Sequence, residues 1–76
     1  MAEPTLKRGS EGQDVRDLQD ALIELDFKPG AADGVFGVYT ESAVKAFQKW
    51  TSTTADGIVG PETQEKLEQA RASYRA

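Results

Sequence analysis

The stretch "ADGVFGVYTESAV" (residues 32–44) is answered 23 positions later by "ADGIVGPETQEKL" (residues 55–67). Asp33, Gly34, Gly37 and Thr40 align with Asp56, Gly57, Gly60 and Thr63. The Asp-Gly pairs predict tight turns, because Asp tolerates turn geometry and Gly takes a positive φ without steric cost. The apolar pair inside each copy, Val35-Phe36 or Ile58-Val59, predicts a segment tucked into a core. Such pairs can also form a short extended bridge between the copies. The glycines three positions further on, Gly37 and Gly60, sit where a helix N-cap belongs. Pro61 then falls at a first helical position, where a missing N–H costs nothing.

Working outward, a third glycine pair, Gly9 and Gly12 in "GSEG", precedes the segment "QDVRDLQDALIELDF". There Val15, Leu18, Leu22 and Leu25 form one stripe of a helix. "VYTESAVKAFQKW" repeats the device with Thr40, Ala43, Val44 and Phe47, and "PETQEKLEQARASY" with Thr63, Leu67, Ala70 and Tyr74. "VRDLQ" (15–19) also matches "VKAFQ" (44–48), ending in Gln19 and Gln48. The expected fold is all-α: a compact three-helix bundle of repeated glycine-turn and helix units, with helices over 13–26, 38–51 and 61–73. The expected core is Leu6, Val15, Leu18, Leu22, Leu25, Val35, Phe36, Ala43, Val44, Phe47, Ile58, Val59 and Leu67. The 76 residues predict one domain, with its body at about 5–73. A chain this short buries only about 60 % of its unfolded surface.

Composition removes several functions. There is no Cys and no His, so disulfide frameworks, common zinc sets and Ser-His or Cys-His nucleophiles are excluded. Thirteen acidic and nine basic residues give a net charge of −4, which argues against nucleic acid. No apolar run approaches the ~18–20 residues that span a bilayer. The first 25 residues lack a signal-peptide core. The Asp-Gly loops lack alternate oxygen ligands ahead of the glycine, so calcium is not expected. Asp33 and Asp56 are paired carboxylates, yet so small a domain cannot enclose a sugar between them. No catalytic residue, metal or cofactor is expected. Gln19 and Gln48 are read as amides that bond the backbone of a neighbouring loop.

The ordered pattern G-x-x-G-x-x-V-x-x-L-Q, D-G-x-F-G-x-x-T-x-x-A-V-x-x-F-Q and D-G-I-V-G-P-x-T resembles the small peptidoglycan-binding domain found beside bacterial cell-wall hydrolases and amidases. It covers residues 5–67. The resemblance implies a three-helix bundle and a non-catalytic module that binds peptidoglycan and targets a linked or partner enzyme to it, as a monomer. It implies the cell wall, periplasm or exterior if the chain is part of a larger exported protein; the missing signal-peptide core predicts the cytoplasm if the chain is complete. Members carry Gly where this chain has Asp26, and Gly-Leu where it has Ser52 and Thr53. Within this reading the ligand-binding candidates are Asp33, Tyr39 and Trp50. Tyr39 and Trp50 are 11 positions apart and share a helical face. Their rings combine an apolar face with a hydrogen-bonding edge. Trp50 is alternatively a plug for the polar second loop. Gly9, Gly12, Asp33, Gly34, Gly37, Asp56, Gly57 and Gly60 are the expected turn residues. The alternative function is a protein-interaction adaptor on the same fold, either intracellular or part of an injected or secreted assembly.

Overall fold

A computed structural model describes residues 5–75, with side chains over 5–73. Three helices follow in order: α1 (Gln13–Glu24), α2 (Val38–Trp50) and α3 (Pro61–Arg75). Among the described residues there is no strand, only two isolated antiparallel bridges. No described helix is long and apolar enough to cross a membrane. The stripes predicted from spacing face inward. Val15, Leu18, Leu22 and Leu25 of the first unit meet Ala43, Val44 and Phe47 of α2 and Leu67 of α3. Ala21 joins them, and the partly buried Phe27 and Ala70 pack on the same cluster. The side chain of Tyr74, expected on the α3 stripe, lies outside the described residues.

Each helix begins at a glycine whose carbonyl accepts the first helical bond. Gly12 takes Arg16 N at 3.1 Å, Gly37 takes Glu41 N at 3.0 Å and Gly60 takes Gln64 N at 2.9 Å. The ends of α1 and α2 come earlier than the spacing predicts, for one shared reason. Asp26 (φ 67) and Ser52 (φ 59) both take the left-handed conformation. After Asp26, Phe27 N bonds Leu22 O at 2.7 Å while Asp26 N bonds Ile23 O at 2.9 Å. After Ser52, Thr53 N bonds Gln48 O at 2.8 Å while Ser52 N bonds Lys49 O at 3.1 Å. Both are Schellman caps, which satisfy the last carbonyls of a helix. A short polar side chain occupies the left-handed site in each, at some steric cost.

Val35 and Ile58 correct the expected core. They are 46 % and 40 % exposed, whereas their neighbours Phe36 and Val59 are 1 % and 0 %. Successive side chains of extended backbone point to opposite sides, so only one of each pair can face inward. The bridges also run elsewhere than between the two copies. Leu6 pairs with Val59, and Glu11 pairs with Val35. The segment before α1 thus ties down both Asp-Gly turns, through Leu6 N to Val59 O (3.0 Å), Gly9 N to Phe36 O (3.0 Å) and Gly12 N to Gly34 O (2.9 Å). Gly34 (φ 78) is required at this crossing, because an added Cβ would lie 3.2 Å from the carbonyl oxygen of Gly12.

Candidate functional site

The repeated sentence folds into a repeated lock. Gln19 is 1 % exposed and uses every polar position it has. Its Oε1 accepts Gly34 N–H at 2.9 Å. Its Nε2 donates to Val35 O (2.9 Å), Thr40 Oγ1 (3.0 Å) and Asp33 Oδ1 (3.2 Å). Gln48, also 1 % exposed, does the same one unit later. It accepts Gly57 N–H (3.0 Å) and donates to Ile58 O (2.9 Å), Thr63 Oγ1 (3.1 Å) and Asp56 Oδ1 (3.1 Å). Each glutamine therefore clamps the next Asp-Gly turn onto the helix that follows it. The aspartates close the turns from the other side. Asp33 Oδ1 accepts Val35 N–H at 3.0 Å, and Asp56 Oδ1 accepts Ile58 N–H at 2.9 Å.

These bonds set the acidity of the two carboxyls. The Val35 N–H and then the Gln19 amide hold Asp33 below the ordinary aspartate value. The Ile58 N–H does the same for Asp56, against some desolvation, with help from the Gln48 amide. A depressed folded-state pKa means that the bonds stabilise the fold above the unfolded aspartate value, about 3.9. That contribution is lost as pH falls through the lower folded values. Acid titration followed by carbonyl NMR should give midpoints for Asp33 and Asp56 below those of free aspartate. Asp33→Asn should flatten the part of the acid-unfolding curve that Asp33 supplies. Midpoints at the free value would contradict the lock geometry.

The two units share the lock and differ around it. Gln19 stands seven positions before its left-handed cap residue, Asp26, and Gln48 stands four before Ser52. From cap to turn aspartate the distance is again seven positions in the first unit and four in the second. The first unit thus spends one extra helical turn going out and three extra residues coming back. That return segment runs along α2. Phe27 stacks edge-on against Phe47, with ring centroids 5.5 Å apart. Gly30 reaches the other end of α2, where an added Cβ would lie 3.5 Å from Tyr39 Cβ.

The return segment forms one wall of a shallow groove of about 140 Å³. Pro29, Gly30, Asp33, Val35, Val38 and Tyr39 line it. A more open, polar depression of about 290 Å³ lies beyond Asp33 and Val35, with Arg16 and Glu11 on its far side. Asp33 borders both. Tyr39 is 74 % exposed. It occupies the second helical position of α2, where α1 carries Asp14 and α3 carries Glu62. An acid there favours the helix dipole, so α2 departs from its two sister helices in favour of an exposed aromatic ring.

Of the three expected ligand residues, Asp33 and Tyr39 come together and Trp50 does not. Trp50 lies eleven positions beyond Tyr39 on α2, on the order of 16 Å along the helix. Trp50 does not plug the second loop either, since it is 65 % exposed. Thr51 and Thr53 satisfy that loop among themselves, with hydroxyls 2.9 Å apart. Pro29 and Gly30 are lining residues that spacing alone did not single out. Their signal was the Pro-Gly pair and the three surplus residues, visible once the caps at Asp26 and Ser52 are located. Among the described residues no group of three or more Asp or Glu side chains is placed to hold a metal.

Comparison with known proteins agrees with this architecture. The sequence profile of the family described as "Putative peptidoglycan binding domain" matches residues 11–67. The chain is 45 % identical over 56 residues to the N-acetylmuramoyl-L-alanine amidase CwlM of Mycobacterium tuberculosis, covering 74 % of this chain and 14 % of that protein. It is 39 % identical over 70 residues to a spore cortex-lytic enzyme of Oceanobacillus iheyensis, covering 92 % of this chain and 25 % of that one. The chain therefore spans a quarter or less of the length of these relatives. Among solved structures, the SleB N-terminal domain superposes with a TM-score of 0.87 at 36 % identity, over 92 % of this chain and 96 % of that one.

Proposed function

The chain belongs to the peptidoglycan-binding domain family, and from that membership we propose that it is a non-catalytic module that holds a linked or partner enzyme against bacterial cell-wall peptidoglycan. The contact is the groove between the 29–35 segment and the start of α2. The observation that carries this reading is Tyr39: an exposed ring at the second position of α2, where both other helices carry an acid. A sugar ring lies on the tyrosine face, beside the exposed side chains of Val35 and Val38. Asp33 binds its turn through Oδ1 alone, which leaves Oδ2 as an acceptor for a ligand amine or hydroxyl. The groove is shallow, so affinity is weak alone. Its use is the effective concentration of wall that it gives to a tethered enzyme.

Two variants test the groove by co-sedimentation with purified sacculi. Tyr39→Glu should weaken binding about tenfold, the scale of a truncated aromatic anchor. The same change should hold or raise the melting temperature, because an acid at this position adds about 0.3–1 kcal/mol to a helix start. Tyr39→Phe should retain most of the binding. Undiminished binding by Tyr39→Glu would remove the groove from the account. Absence of wild-type binding would favour the adaptor reading, in which the same face meets a protein.

A further inference from the structure

The far end of α2 holds a second, separate feature. The Trp50 ring is supported from beneath by Phe27 (centroids 5.7 Å apart) and Phe47 (6.1 Å), while 65 % of the residue stays exposed. Its orientation is therefore set by the core although its surface is wet. Lys66, Gln69, Ala70 and Ser73 fall at helical spacing on α3 and, with Thr51 and Trp50, enclose a shallow depression of about 300 Å³. Lys66 is partly buried here. Among the described residues it has no ion pair, whereas Arg8 is held by Glu41 and Arg71 by Glu24. What sets Lys66 apart is its place, partly buried and lining one depression with a propped aromatic ring.

We propose that this depression is a second ligand site, one that takes a sugar ring carrying a carboxylate. The ring stacks on the indole, whose face suits the C–H surface of a pyranose. The carboxylate meets the Lys66 ammonium. The Gln69 amide and the Ser73 hydroxyl are within the same depression to bond ring substituents. This proposal rests on the wall-binding reading only for the natural source of such a sugar, which is glycan whose stem peptide has been cleaved off; the site itself rests on Trp50 and Lys66 lining one depression.

Trp50 is the only tryptophan in the chain, so its emission reports this site alone. The probes are N-acetylmuramic acid, which carries a carboxylate, and N-acetylglucosamine, which does not. The expected result is a saturable emission change with the acid sugar at lower concentration than with the neutral one. Lys66→Gln should weaken the acid sugar roughly two- to fivefold, the scale of an exposed ion pair. It should leave the neutral sugar unchanged, and added salt should mimic it. Tyr39→Glu should not alter the response. No saturable change, equal response to both sugars, or an acid-sugar response indifferent to Lys66→Gln would each overturn the proposal. Sacculus binding undiminished by Tyr39→Glu, or absent in the wild type, with the Trp50 response intact would instead overturn the Tyr39 groove and leave this site standing.

Discussion

Gln48→Leu is expected to destabilise the fold by about 3 kcal/mol, and Gln19→Leu by a similar amount. Leucine is one atom shorter but of comparable bulk, and supplies none of the bonds. In the Gln48 variant the buried Gly57 N–H loses its acceptor, and Ile58 O and Thr63 Oγ1 lose their donor. Each buried group left unsatisfied costs roughly 1–3 kcal/mol. The costs overlap because neighbouring groups couple. Leucine recovers part of the loss by burying apolar surface, which is why the estimate stays near the top of a single group's range. Urea unfolding with a fixed m-value measures the change. The parity of the two variants is itself informative, because it follows from two copies of one lock. A loss below about 0.5 kcal/mol, the range of an ordinary surface substitution, would mean that the amides are not what holds the turns.

Phe47→Ala is expected to remove a large share of the stability of the fold and to lower its melting temperature well beyond a few degrees. Phe47 is 1 % exposed and sits where the return segment, α1 and α2 converge. Truncating a buried phenylalanine costs about 3–5 kcal/mol. A chain of this length has a total stability of roughly 4–11 kcal/mol on a per-residue scale, so one side chain accounts for a large share. Phe47 also supports the rings of Phe27 and Trp50. Its loss should therefore shift Trp50 emission to the red even in molecules that stay folded. A melting temperature within a few degrees of wild type would contradict this placement of the core.

The three helices were legible because two signals coincide in each: an apolar stripe and a glycine at the start. The glutamine clamps were legible because Gln19 and Gln48 recur beside a large apolar residue in both copies. The inward member of each apolar pair was not legible. Val35 and Phe36 have similar composition, and the direction of an extended side chain depends on the partner segment, here residues 6–12. The helix ends were missed by one or two residues because Asp26 and Ser52 take a left-handed shape that glycine would have announced. The roughly 16 Å between Trp50 and Tyr39 followed from their spacing, but the position of the groove did not. Their spacing puts them on one face of α2, and only the path of the return segment decides which part of that face becomes a groove.

The most direct test of the central claim, wall binding through the Tyr39 groove, is an amide-shift NMR titration of the labelled domain with soluble muropeptides. The account predicts saturable shifts at residues 31–39 and at the side-chain amide of Gln19, which lies beneath the groove. A titration that reaches millimolar muropeptide with residues 31–39 unmoved would contradict it.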